Sequence, residues 1–288
     1  MSNDMLAEPA RKEIAAPPAH AKRAPVWLAV ALLVALVLGF LGYVFGLSRL
    51  SEQRAQTNLR KTFAHALGQA VAPVGPVEPG TPVAAISIPR LGLDQTIVVE
   101  GTSAQDLTLG PGHRRDTVLP GQTGVSVIYG RRVSFGGPFA HLMQLQVGDQ
   151  ITVTTGQGAA RYRVSSFGDA QHPAPANSTN RLVLATADST GWPHESVSVS
   201  ADLQTAPKPA GPARPAIPTD EESMAGGAGG SALAALLWSQ ALLAIAVLIP
   251  ILAVRWSPIA TYVCAAPLVL AVVWNLYENA ACALPNLY

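Results

Sequence analysis

Three stretches of this chain are so apolar and so free of charge that they dictate what the rest can be. Residues 25–47 read PVWLAVALLVALVLGFLGYVFGL, residues 231–254 read SALAALLWSQALLAIAVLIPILAV, and residues 259–276 read IATYVCAAPLVLAVVWNL. At 1.5 Å per residue, each is long enough as a helix to cross most or all of a hydrocarbon core of roughly 30 Å. Each is also apolar on every face, a pattern that suits lipid or a deeply buried site and not the surface of a globular domain. Inside lipid the backbone must satisfy its own hydrogen bonds, so these stretches are expected to be helical. The composition agrees, at 49% hydrophobic and only 13% charged residues.

For the first stretch the competing reading is a cleaved signal peptide. Its apolar run exceeds the roughly 7–15 residues of a signal core, and no A-x-A site follows, so the sequence predicts an uncleaved anchor. Orientation follows from positive charge. Arg11, Lys12, Lys22 and Arg23 precede the first span, and Arg255 lies in the short RWSP turn between the second and third. Basic residues stay in the cytoplasm, so the segment between the first two spans is expected to face outward, at the cell membrane.

That intervening segment has a different texture. Residues 48–81 read as a polar stalk followed by a Pro/Gly linker, and residues 204–230 as a second Pro/Ala/Gly linker. Between them, residues 82–203 break into short runs: VAAISI, QTIVVEG, GVSVIYG, DQITVTTG, ARYRVSSF, RLVLATA and SVSVSADL. Val, Ile and Thr dominate, and apolar residues recur with period two. Many short strands in so short a stretch predict an all-β, closed or nearly closed barrel. The full division is then a disordered basic leader (1–24), a span (25–47), a stalk and linker (48–81), the barrel (82–203), a linker (204–230), two spans (231–254 and 258–277) and a short outer tail (278–288).

Several function classes are disfavoured. A net charge of +1 gives no nucleic-acid-binding surface. The only cysteines, Cys264 and Cys282, would lie roughly 27 Å apart on one helix, too far to bridge. No histidine pair has metal-ligand spacing, and no cofactor is expected.

Read in order, the barrel segment gives ISIPRLGLDQTIVVEGTS, then GPGH, LPGQTG, VSVIYGRR, GGPF and VGDQI, with LVLATA and VSVSADL closing it. This succession resembles the sortase family, most closely its class E group. The resemblance implies an eight-stranded barrel carried by a membrane anchor. It also implies transpeptidation at the cell surface, in which a cysteine attacks a sorting-signal peptide, a histidine moves protons and an arginine steadies the oxyanion. The histidine position is occupied here by Arg131, the cysteine position by Ala187, and the arginine position by Ser196. Alanine supplies no nucleophile for a thioacyl intermediate, and arginine does not titrate near neutral pH. The expectation is therefore a non-catalytic sortase-fold protein that binds a sorting-signal-like peptide or a cell-envelope partner, or regulates an active relative. The alternatives are an active transpeptidase or peptidase, and a purely structural envelope module.

Other residues invite chemistry. Thr186, Ser189 and Thr190, with Asp188 and His194, can be arranged on paper as a substitute triad, but such residues are common in any polar turn. Arg131, Arg132 and His113, with Arg114 and Arg115 nearby, are candidates for binding an anionic group; the bland alternative is a set of solvated loop cations.

Overall fold

The computed structural model describes residues 24–169, 178–191, 193–212, 214–226 and 229–288. The basic leader (residues 1–23), His20 and His172 lie outside the described residues. The first compact unit, Met1–Leu41, contributes most of helix α1 (Ala24–Gly42). The chain then passes through one π-helical turn, Tyr43–Leu47, into α2 (Ser48–Gly68). Two more long helices close the chain, α4 (Gly229–Arg255) and α5 (Pro258–Cys282); α3 is the single turn Asp106–Leu109. Among the described residues, three helical stretches are long and apolar enough to cross a membrane: Val30–Gly68, Gly230–Arg255 and Pro258–Cys282. Their outward side chains, such as Leu38 in the first, Leu243 in the second and Leu270 in the third, are more than half exposed. Lipid is the environment that makes such exposure favourable.

Eight strands form a closed barrel: β1 (Pro82–Ile88), β2 (Leu93–Glu100), β3 (Gly112–His113), β4 (Val125–Tyr129), β5 (Gln150–Thr155), β6 (Gly158–Asp169), β7 (Arg181–Ala187) and β8 (Ser196–Leu203). Their order around the barrel is β1-β2-β3-β4-β7-β8-β6-β5. The period-two pattern does what the sequence implies. On β6, Ala160, Tyr162 and Val164 are buried while Arg161 and Arg163 face out. With Val83, Ile86, Ile88, Ile128, Ile151, Val153, Leu182, Leu184 and Val199 they form one continuous core. Each fully buried aliphatic of this kind contributes roughly 1.5–3 kcal/mol.

The segments read as stalk and linker pack on the barrel. β3 is only two residues long, so much of the β2 edge lacks a strand partner, and α2 covers it. The Gln56 side chain accepts from Ile97 N–H (2.8 Å) and donates to the carbonyls of Ile97 (3.0 Å) and Leu109 (2.8 Å). Phe63 packs beside it on Ala72 and Ile97. Replacing Gln56 with leucine strands three backbone groups and is expected to cost about 2–4 kcal/mol. Hydrogen exchange at Ile97 should then accelerate by at least about tenfold, and unchanged protection would show that α2 does not cap this edge.

Beyond β8 the chain forms a strap along the barrel. Lys208 N–H donates to the Gly121 carbonyl (2.8 Å) and its carbonyl accepts from Thr123 N–H (2.9 Å). Farther on, Arg214 reaches Glu100 (3.0 Å), and the Glu221 carbonyl accepts from Thr102 Oγ1 (2.6 Å).

Candidate functional site

Parallel pairing of β4 with β7 brings the ends of both strands to one rim. Tyr129 lies beside Ala185, and Gly130 N–H donates to the Ala185 carbonyl at 3.0 Å. In the antiparallel β7–β8 pair, Ala187 stands opposite Ser196. The three positions singled out in the sequence therefore meet at one end of the barrel: Arg131 just past β4, Ala187 at the end of β7 and Ser196 at the start of β8. Arg132 ties two of these loops together, its Nη1 donating to the Ala187 carbonyl at 2.9 Å.

Arg131 is fully buried. Nη1 donates to Ser134 Oγ (3.0 Å), Nη2 to the Ala104 carbonyl (2.8 Å), and the guanidinium stacks 5.0 Å over the Phe135 ring. Phe135 in turn meets Tyr43 edge-on, and Tyr43 meets Trp274 and Tyr277 of α5. Among the described residues no carboxylate pairs with Arg131. Burial pushes its pKa down to about 10, partly offset by the Cys282 thiol and the Tyr43 phenol. That still leaves a permanent cation at neutral pH, unable to act as general acid or base. Its contacts join the β4 loop to the aromatic cluster at the helix ends, and it offers no surface to a ligand from outside.

His113 is likewise buried, on β3 rather than in a loop. Its Nδ1 lies 2.8 Å from Glu100 and its Nε2 2.9 Å from the Val118 carbonyl. Glu100 is 1% exposed and its other oxygen accepts from Arg214, whose pKa burial lowers against the opposing pull of Glu100. This is an internal polar network that clips the strap to the barrel wall. The other rim cations are also engaged. Arg114 pairs with Asp116 (2.9 Å), and Arg115 makes a two-pronged contact with Glu221.

The residues read as a substitute triad begin at the buried end of β7. Thr186 is fully buried, and Asp188 caps its own turn, accepting from His194 N–H at 3.3 Å through Oδ1. A residue far along the chain also packs in the cluster that holds Ala187. Leu287 is fully buried in a cluster with Leu107, Tyr129, Ala185 and Ala187, with Met224 of the strap packed against it. Nothing in the pattern around residues 284–288 marks that contact, because most of the hydrogen bonds that hold it run to backbone.

Residues 86–197 match the family model described as Sortase domain. Sortase D of Bacillus subtilis (strain 168) is 32% identical over 87 residues, 30% of this chain and 42% of the relative. The matched region thus spans less than half the length of that curated relative. Among solved structures, sortase E from Streptomyces avermitilis shares 28% identity, over 45% of this chain and 91% of that one, with a TM-score of 0.39. A Clostridium perfringens Sortase D5 transpeptidase shares 22% identity, over 54% of this chain and 99% of that one, with a TM-score of 0.43. Over residues 86–197, then, this chain is similar to the sortase domain family.

Proposed function

We propose that this is a membrane-anchored sortase-fold protein that acts by binding a peptide segment of a cell-envelope protein, with the barrel on the outer face of the membrane, and not by transpeptidation. One observation carries the reading: at the rim where the family's cysteine belongs, Ala187 is fully buried and its carbonyl is engaged by Arg132. A thioacyl intermediate needs a thiolate within reach of the substrate carbonyl. The barrel holds no cysteine, and the chain's two thiols belong to α5. Arg131 and Ser196, at the other two family positions, supply neither a titrating base nor a fixed cation facing a substrate. The basic residues of the leader and of the RWSP turn support the outward orientation.

The test uses the full chain in detergent micelles, mixed with sorting-signal peptides and an amine acceptor. Product formation is expected to stay at the level of a protein-free control. Turnover above that level, insensitive to thiol-blocking reagents, would sink this reading and favour an active peptidase or transpeptidase with an unrecognised nucleophile.

A further inference from the structure

Within the segment Leu-Pro-Asn-Leu-Tyr, residues 284–288, the last three residues pack against the rim. Each successive residue meets a different kind of complement. The two N–H groups of the Asn286 side-chain amide are shared among three carbonyls, those of Asp220 (2.7 Å), Glu222 (3.1 Å) and Thr102 (3.3 Å). Leu287 fills the apolar pocket formed by Leu107, Tyr129, Ala185, Ala187 and Met224. The Leu287 carbonyl accepts from Arg132 N–H (2.9 Å). The Tyr288 oxygen accepts from the N–H groups of Val133 (3.2 Å) and Ser134 (3.0 Å) and from Ser134 Oγ (3.0 Å). Asn286 and Leu287 are both 0% exposed.

An apolar pocket flanked by a row of backbone donors and a cluster of carbonyl acceptors is the chemistry of peptide capture. We propose that this part of the rim is a peptide-binding site whose resident ligand is the chain's own residues 286–288, and that it takes an Asn-Leu-Tyr peptide in trans only when that segment is displaced. The inference rests on the binding role proposed above and names the ligand class: a peptide with a side-chain amide followed by a leucine. Arg132 acts here through its backbone N–H, while its guanidinium holds Ala187 beneath the pocket. A tethered segment acts at an effective concentration on the order of a millimolar. Against a peptide with a dissociation constant of about 10 μM, such occupancy masks the site by about 100-fold.

The experiment compares the full-length chain with its Asn286→Ala/Leu287→Asp variant in detergent micelles, using fluorescently labelled ALPNLY as probe. The variant is expected to bind the probe saturably and about 100-fold more tightly than the unaltered chain. A probe carrying aspartate in place of its leucine should not bind. Absence of binding to a variant that melts within a few degrees of the unaltered chain overturns the proposal, because the segment would then be packing and nothing more. Equal binding to both chains overturns it as well, because the site would not be occupied in cis. Should the double variant melt early, Leu287→Ala replaces it and the same two outcomes are read. Sorting-signal turnover by the opened variant is scored separately. Turnover together with probe binding would overturn the non-enzymatic role while leaving the self-occupied site standing.

Discussion

Replacing Glu100 with alanine should destabilise the barrel by about 3–5 kcal/mol, the scale for breaking a buried charge network by removing one partner. Glu100 sits on β2 beside His113 of β3, the two being register partners in a parallel pair. Its carboxylate meets His113 Nδ1 on one side and Arg214 on the other, with side-chain exposures of 0% and 7%. Removing it strands a guanidinium and an imidazole nitrogen out of water, with no second carboxylate among the described residues to take its place. The melting temperature is expected to fall by about 10–20 °C. The double variant Glu100→Leu/Arg214→Met removes both charges and should recover much of the loss, because the cost comes from the orphaned partner more than from the lost pair. A Glu100→Ala protein melting within about 2 °C of the parent would mean that this network holds nothing together.

Gly130→Ala should be almost as damaging, for a steric reason. A Cβ at this position would lie 2.4, 2.6 and 2.9 Å from three ring carbons of Phe139. That ring is 0% exposed and belongs to the barrel core, and its backbone N–H is held by the Arg131 carbonyl at 3.1 Å. Neither side can retreat freely. Overpacking a close-packed interior costs about 1–3 kcal/mol and sometimes more; the immobile ring places this substitution at about 3 kcal/mol. The strain falls between β4 and Arg131, so amide protection at Arg132, Val133 and Ser134 should drop with it. Adding Phe139→Leu in the same chain removes the ring and is expected to restore part of the stability. No restoration, together with an intact Gly130–Ala185 hydrogen bond, would show that the clash is not the cause.

Arg131 is the residue whose meaning changes most between sequence and structure. In sequence it is a cation at a strand end, standing where the sortase resemblance puts a histidine, and either a ligand grip or a lost base fits. Its partners are the Ala104 carbonyl, the Ser134 hydroxyl and the face of Phe135. None of these has a sequence signature, because a backbone carbonyl looks alike at every position. His113 is similar. Its burial on a two-residue strand has no period to reveal it, and its partner Glu100 comes from a separate run of the chain. The strap from Lys208 to Glu221 shares the composition of a flexible linker, yet it bonds to the barrel at Gly121, Glu100 and Thr102. Composition reports what a segment can do in isolation, not what a neighbouring surface offers it.

The sequence by itself determined the elements. Apolar runs with no charge specify helices for lipid, and strict alternation of Val, Ile and Thr with polar residues specifies strands with one buried face, because helix and strand periodicities are properties of local backbone geometry. The ordered succession of short motifs likewise carries the resemblance to sortases. Tertiary structure alone decided the closure of β4 on β7 and the burial of Arg131 and Glu100. It alone decided the seating of Leu287 over Ala187. Each of these joins residues far apart in the chain, and the energy that selects them is burial and hydrogen bonding between surfaces that exist only once the barrel has closed.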